Sequence, residues 1–126
     1  MAAFCRKPLR GLAMKLPNPS GLIVEREKIA DYLLNPAHRY GASKARFFTS
    51  YGFRIENWEQ LAEALREHGR IYEVARVVET GFGRRYVVEG ELNTPDNRRP
   101  RVRTVWQMDE GAVAPRLISA YPMEAL

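Results

Sequence analysis

Five side chains with the chemistry to cleave a phosphodiester without a metal lie in two separate parts of this sequence: His38, Lys44, Arg103, Ser119 and Tyr121. RNA supplies its own nucleophile, the 2′-hydroxyl, so a protein that cuts it needs a base, positive charge at the phosphate and a donor for the leaving oxygen. His38 can act as the base because imidazole titrates near neutrality. Lys44 and Arg103 can stabilise the phosphate charge. Ser119 can hydrogen-bond phosphate oxygens, and Tyr121 can stack on a base or donate a proton. We expect these five residues to be catalytic.

Four further residues have side chains suited to holding the substrate: Arg85, Tyr86, Thr104 and Arg116. The planar guanidinium groups of Arg85 and Arg116 match the geometry of a phosphate. The Thr104 hydroxyl can hydrogen-bond a phosphate oxygen, and the Tyr86 ring can stack on a base. We therefore expect these four residues to bind the substrate.

Each of these residues also has a purely structural explanation. His38 falls in a loop and Lys44 on a helix, where both types are usually solvated. Arg103 and Thr104 could be cross-strand partners in a sheet. Tyr121 precedes a proline and could simply close the sheet edge. The residue types alone leave both explanations open.

Other chemistries lack the residues that they require. His38 and His68 are the only histidines, and neither has a second ligand at the spacing of a recognised metal set. Cys5 is the single cysteine, so neither an intrachain disulfide nor a thiolate cage can form. No serine lies in a GxSxG motif, and no GK[ST] follows the glycines at 81–83. We predict no metal and no cofactor.

Length and charge limit the class of protein. The chain has 126 residues, 45% of them hydrophobic, which suits one globular domain. The first 15 residues contain four cationic side chains and no acidic one. We therefore predict a basic flexible arm at 1–15 and a single α+β domain at 16–126. The net charge of +5 and six arginines between residues 84 and 103 are the footprint expected of a protein that has RNA as a partner, but charge alone does not decide for it. The alternative is a charged sheet edge that discourages aggregation.

The predicted cellular location depends on the absence of long apolar runs. No stretch has the length needed to span a bilayer, and the N-terminus has no uninterrupted apolar core of signal-peptide length. We expect a soluble cytoplasmic protein that is not bound to a membrane. The sequence leaves its oligomeric state open.

The elements that must position the candidate residues are three helices followed by four strands. Hydrophobic periodicity predicts helices over 25–34, 42–51 and 57–69. We expect Gly52 to be the left-handed cap of the second helix, and Asn57 with Gln60 to form a capping box on the third, which Gly69 ends. Alternating β-formers predict four strands within 71–121. The fold class is therefore α+β, with three N-terminal helices packed on a four-stranded antiparallel sheet.

The last two predicted strands form a hairpin over 101–122, and its two faces differ. One face carries Val102, Thr104, Trp106 and Met108, and the other carries the guanidinium groups. We therefore expect Trp106 to lie in the core. Pairing of these strands would bring Arg103, Thr104, Ser119 and Tyr121 together, as a phosphate cluster or as ordinary sheet surface.

Three stretches resemble a bacterial family defined by a domain of unknown function: LPNPSGLIVEREKIADYLLNP, HRYGASKARFFTSYGF and VRTVWQMDEGAVAPRLISAYP. The resemblance covers about residues 16–122. Its members look like small stand-alone proteins suspected of toxin–antitoxin partnership, and the resemblance implies no particular activity. Ser119 departs from the threonine expected at that position, but the hydroxyl group is kept.

A more distant likeness concerns the order of the elements. Helices followed by a four-stranded antiparallel meander are similar to the barnase–EndoU–colicin–RelE group of ribonuclease toxins. That likeness implies a site with a basic or histidine residue near the helices and with Arg, Ser or Thr, and Tyr from the sheet. We expect a toxin-like, metal-independent endoribonuclease that uses 2′-hydroxyl attack. The alternatives are a non-catalytic module that binds a small antitoxin-like protein, and an RNA-binding protein without cleavage.

Overall fold

Three helices precede four strands in the computed structural model, which describes residues 14–123. The α+β class predicted from the sequence is confirmed. Of the predicted basic arm, only Met14 and Lys15 fall within the described residues, and Cys5 lies outside them.

The first helix changes its winding halfway along. It starts as the short α-helix α1, Arg26–Lys28, and continues directly as a π-helix, Ile29–Leu33. The amide of Leu34 donates to the carbonyl of Ile29, five residues back, at 2.8 Å. The prediction of helix over 25–34 is right in position, but periodicity could not reveal the wider turn. Such π turns are rare and occur often at functional sites.

The second and third helices are α2, Ala42–Ser50, and α3, Trp58–Ile71. Gly52 has a φ of 104° and is the left-handed residue that was expected after α2. The predicted capping box is wrong, because Asn57 ends a short 3₁₀ turn and makes no side-chain cap hydrogen bond. The predicted end at Gly69 is also wrong. This glycine lies inside α3, where an added Cβ would come within 2.7 Å of the Trp106 ring.

The four strands form one antiparallel meander in the order β1-β2-β3-β4. They are β1 Val74–Thr80, β2 Gly83–Glu91, β3 Arg101–Asp109 and β4 Arg116–Pro122. One face of the sheet is buried with the helices in a single core, which includes Val88, Val102 and Trp106. The segment before the first helix adds a parallel bridge between Ile23 and Arg116 at the β4 edge.

A series of buried hydrogen bonds connects α3 to this buried face. His68 Nε2 lies 3.1 Å from the carbonyl of Gly90 and 3.0 Å from that of Val102. Carbonyls only accept, so Nε2 carries the proton and Nδ1 accepts from the Thr104 hydroxyl at 3.1 Å. Trp106 Nε1–H in turn donates to Thr104 Oγ1 at 2.9 Å. Burial is the main cause that lowers the pKa of His68, against the two carbonyl hydrogen bonds.

None of the helices between residues 14 and 123 combines the length and the apolar character needed to cross a membrane.

Candidate functional site

Tyr32, a sixth residue at the β4 edge of the sheet, has three of the five predicted catalytic residues around it, namely His38, Lys44 and Ser119. The Tyr32 hydroxyl lies 3.4 Å from the Ser119 hydroxyl. The Lys44 ammonium is 5.4 Å from the centre of the Tyr32 ring, and the His38 ring centre is 4.9 Å from it. The π-helix provides Tyr32, the following loop and α2 provide His38 and Lys44, and β4 provides Ser119. Tyr32 therefore connects the helical and sheet parts of the site.

The charge around Tyr32 favours its ionised form. Partial burial acts to raise the pKa of Tyr32, but the hydrogen bond with Ser119 and the nearby ammonium groups of Lys44 and Lys28 outweigh it. The net result is a pKa below the usual value of 10.0. A phenol tuned in this direction is suited to accept a proton, since a base works best with a pKa closer to neutrality.

A second set of contacts extends the site along the sheet. The Lys44 ammonium lies 6.0 Å from the centre of the Tyr121 ring. The guanidinium of Arg103, on the neighbouring strand β3, lies 5.7 Å from the same ring centre. Arg103 and Tyr121 are direct partners in the β3–β4 register. Hydrogen bonding with Tyr121, and then with Glu89, raises the pKa of Arg103. The Glu89 carboxylate is 2.8 Å from Arg103 Nε, so part of the positive charge of Arg103 is already balanced.

His38 has a fixed tautomer that limits its chemistry. Its Nδ1 accepts hydrogen bonds from the backbone amides of Tyr40, at 2.9 Å, and of Gly41, at 3.0 Å. The neutral imidazole must therefore carry its proton on Nε2 and has no free lone pair. The hydrogen bonds of His38 do not support the expected role of base, but Nε2–H remains available to donate.

Two open grooves flank the Tyr32–Lys44 pair. The larger, about 620 Å³, is lined by Tyr32, His38 and Ser119 together with Lys28 and three carboxylates, those of Glu25, Glu27 and Asp31. The smaller, about 350 Å³, is lined by Ser43, Lys44, Tyr121 and Pro122. Lys44 thus faces the smaller groove, and Tyr32, His38 and Ser119 face the larger one.

The four predicted substrate-binding residues are divided between the two faces of the sheet. Thr104 and Tyr86 lie on the buried face, where Thr104 is fully buried and Tyr86 is 6% exposed. Both were expected to contact a ligand, and burial in the core prevents it. Arg85 and Arg116 share the opposite face, on either side of Gln107 in one cross-strand row. They remain accessible, but they lie in a different row from Arg103 and Tyr121.

Tyr32 is not among the residues selected from the sequence, because with Ile29 and Leu33 it recurs at the spacing of a packed helix face. A straight α-helix gives no reason to separate it from those two buried residues. The distinguishing signal is a phenol on the helix that leads directly into the loop of His38, which is followed by the helix of Lys44.

No group of three or more histidine, cysteine, aspartate or glutamate side chains that could hold a metal ion occurs within residues 14–123.

Comparison with known proteins gives one match. The model of a family described as a domain of unknown function, DUF6883, matches residues 15–124, nearly the whole chain. No curated protein and no solved structure matches the sequence.

Proposed function

The chain belongs to the DUF6883 family, and from that premise we propose that it is a toxin-type endoribonuclease that cuts cytoplasmic RNA without a metal. One observation carries the proposal. Three residues selected for this chemistry from distant parts of the sequence, His38, Lys44 and Ser119, lie around a phenol with a lowered pKa. The Tyr121 ring, next to Lys44, connects them to Arg103 on the adjacent strand.

The proposed reaction begins with proton transfer to Tyr32. The phenolate form of Tyr32 takes the proton of the 2′-hydroxyl, and the 2′-oxygen forms a bond to phosphorus. The bond from phosphorus to the 5′-oxygen breaks, and the ammonium of Lys44 gives that oxygen a proton. The products are a 2′,3′-cyclic phosphate and a free 5′-hydroxyl. A proton passing from Tyr32 to Lys44 restores both groups, since the Lys44 ammonium lies 5.4 Å from the centre of the Tyr32 ring.

The remaining residues act on charge and position. Arg103 and the Nε2–H of His38 stabilise the negative charge that builds up on the phosphate oxygens. Ser119 holds the Tyr32 hydroxyl in place, since their oxygens are 3.4 Å apart. Tyr121, between Lys44 and Arg103, provides a ring on which a base can stack.

The test is cleavage of a mixed-sequence single-stranded RNA in EDTA, with the product ends identified by mass spectrometry. Wild-type protein is expected to leave cyclic phosphates, and Lys44→Gln to lower the rate about 100-fold. Arg46→Gln, an exposed position on the same helix, is the matched control and should cut at the wild-type rate. Absence of cleavage by folded wild-type protein, or equal loss in both variants, would contradict the proposal.

One observation favours a second candidate, a module that binds a small antitoxin-like protein. Phe82 and Val113 are 79% and 81% exposed, on the β1–β2 and β3–β4 turns. The amide of Glu110 donates to the carbonyl of Phe82 and joins these two turns at one end of the sheet. Exposed apolar side chains of this size are typical of interfaces. Binding of RNA without cleavage would favour the third candidate, an RNA-binding protein.

A further inference from the structure

One face of the sheet is rich in guanidinium groups. It is the face opposite the core, and it carries five arginines; we call it the arginine face: Arg76, Arg85, Arg101, Arg103 and Arg116. Three carboxylates share it, namely Glu89, Glu91 and Asp109. The arginine face therefore has a net positive charge.

The charges on this face are unequally paired. Arg103 pairs with Glu89 and Arg116 with Asp109. Arg76, Arg85 and Arg101 are exposed, and none of them has an ion-pair partner within the part of the chain that the structure describes. Exposed arginines without a carboxylate partner keep their full charge for a ligand, and their planar groups fit phosphate.

Gln107 provides a further donor in the middle of this face. It lies between Arg85 and Arg116 in one cross-strand row and is 3% exposed. Arg85 Nε donates to Gln107 Oε1 at 3.1 Å, which fixes the orientation of the amide. Gln107 Nε2 then has no acceptor among the residues described. A phosphate that draws the arginine side chains outward would satisfy this donor, because buried N–H groups need a partner.

The arginine face also leads directly to the candidate site. The row next to Gln107 holds Ser119, and the row after it holds Arg103 and Tyr121. Lys44 approaches Tyr121 from the helices. A strand lying on the face from Arg85 towards Tyr121 would thus deliver a phosphate to Lys44.

We propose that the arginine face binds the phosphate backbone of single-stranded RNA and guides it to the Tyr32–Lys44 site. This inference rests on the proposed function and names how its substrate is held. Binding comes mainly from contacts with phosphates, so it depends on salt and only weakly on sequence.

The test separates binding from cleavage by using a fluorescent 12-nucleotide single-stranded DNA, which has no 2′-hydroxyl and cannot be cut by this mechanism. Anisotropy titrations over a range of salt concentrations compare Arg85→Ala with Arg84→Ala. These neighbours on β2 point to opposite faces, and Arg84 is paired with Glu79. Arg85→Ala should weaken binding at least fivefold and reduce the slope of log affinity against log salt by about 0.7. Arg84→Ala should change binding less than twofold.

Equal effects of the two variants, or wild-type binding by Arg85→Ala, would overturn the inference. An acidic peptide of 12 glutamates that binds as tightly as the oligonucleotide would also overturn it, in favour of an acidic protein partner. Arg76→Glu, at another exposed position, should weaken binding more than tenfold and gives a second measurement. Wild-type protein that binds the DNA but leaves RNA intact would refute the proposed cleavage and not this inference.

Discussion

The hydroxyl oxygens of Tyr32 and Ser119 lie 3.4 Å apart, although 87 residues separate them in the chain. Tyr32 belongs to a π-helix and Ser119 to the edge strand of the sheet. Their contact joins the two halves of the candidate site. It also contributes to the lowered pKa of Tyr32, because a hydroxyl donor favours the phenolate.

Removing the Tyr32 hydroxyl should abolish most of the proposed activity. Tyr32→Phe keeps the ring but not the base, so RNA cleavage should fall about 100-fold or more. The wild-type rate should rise with pH up to a Tyr32 pKa below 10.0, and this rise should vanish in the variant. Tyr40→Phe, at a 69% exposed tyrosine, is the control and should keep both rate and pH profile. A Tyr32→Phe protein with normal activity would rule out Tyr32 as the base.

His38 holds the turn before α2 through Nδ1 and is free to donate only through Nε2. Asparagine can accept the same two backbone hydrogen bonds. The free energy of unfolding of His38→Asn, measured in urea, should therefore lie within about 0.5 kcal/mol of the wild-type value. That of His38→Ala should fall by about 1 kcal/mol. Both should cleave RNA more slowly, because neither has the Nε2–H. Equal stability of the two variants would mean that Nδ1 does not support the turn.

The Thr104 hydroxyl satisfies two buried groups, and its loss should be costly. Thr104→Val keeps the shape but leaves His68 Nδ1 and Trp106 Nε1–H without partners. The free energy of unfolding should fall by about 3 kcal/mol, measured by urea denaturation with circular dichroism. Thr104→Ser retains the hydroxyl and loses only a methyl group, about 1 kcal/mol. A smaller loss in Thr104→Val than in Thr104→Ser would contradict this network.

Stability should depend on pH through His68. Burial lowers the pKa of His68 in the folded state, and the unfolded value is about 6.5. As pH falls below that value, the unfolded state takes up a proton that the folded state does not. Stability is therefore full above pH 6.5 and lost at lower pH, by up to about 1.4 kcal/mol per unit, until the folded pKa is reached. Urea denaturation of the His38→Asn protein from pH 7 to pH 5 tests this slope, since His68 is then the only histidine and ordinary carboxylates stay ionised there.

An NMR titration of the His68 ring in the folded protein gives an independent readout. A midpoint at or above pH 6.5 would contradict the stated direction.

The close approach of α2 to the first helix depends on Gly41. An added Cβ would collide with the Tyr32 carbonyl oxygen and come within 2.9 Å of its ring. Gly41→Ala should cost about 2 kcal/mol of stability and lower RNA cleavage about 100-fold, because Tyr32 moves relative to Lys44. Gly81→Ala is the control, since nothing lies within 4 Å of its added Cβ. Normal activity in Gly41→Ala would show that the site tolerates this displacement.

The fold could be predicted where the local sequence pattern was compatible with one structure only. The strand alternation of Val102, Thr104 and Trp106 placed one face of β3 in the core, as observed. The local pattern was insufficient where tertiary packing decided where an element ends. Gly69 suits the end of a helix, but here it lies in α3 because only a glycine leaves room for Trp106.

The sequence by itself determined the order of the elements, the α+β class and the residue types available for phosphate chemistry, because these follow from periodicity and composition. Only the tertiary structure decided which of those residues meet. The Thr104 hydroxyl bonds to His68 instead of a ligand, because the packing of α3 on the sheet brings the imidazole to it. Tyr32 meets Ser119 and Lys44, because the first helix packs beside α2 and the β4 edge, and a local pattern does not encode that packing.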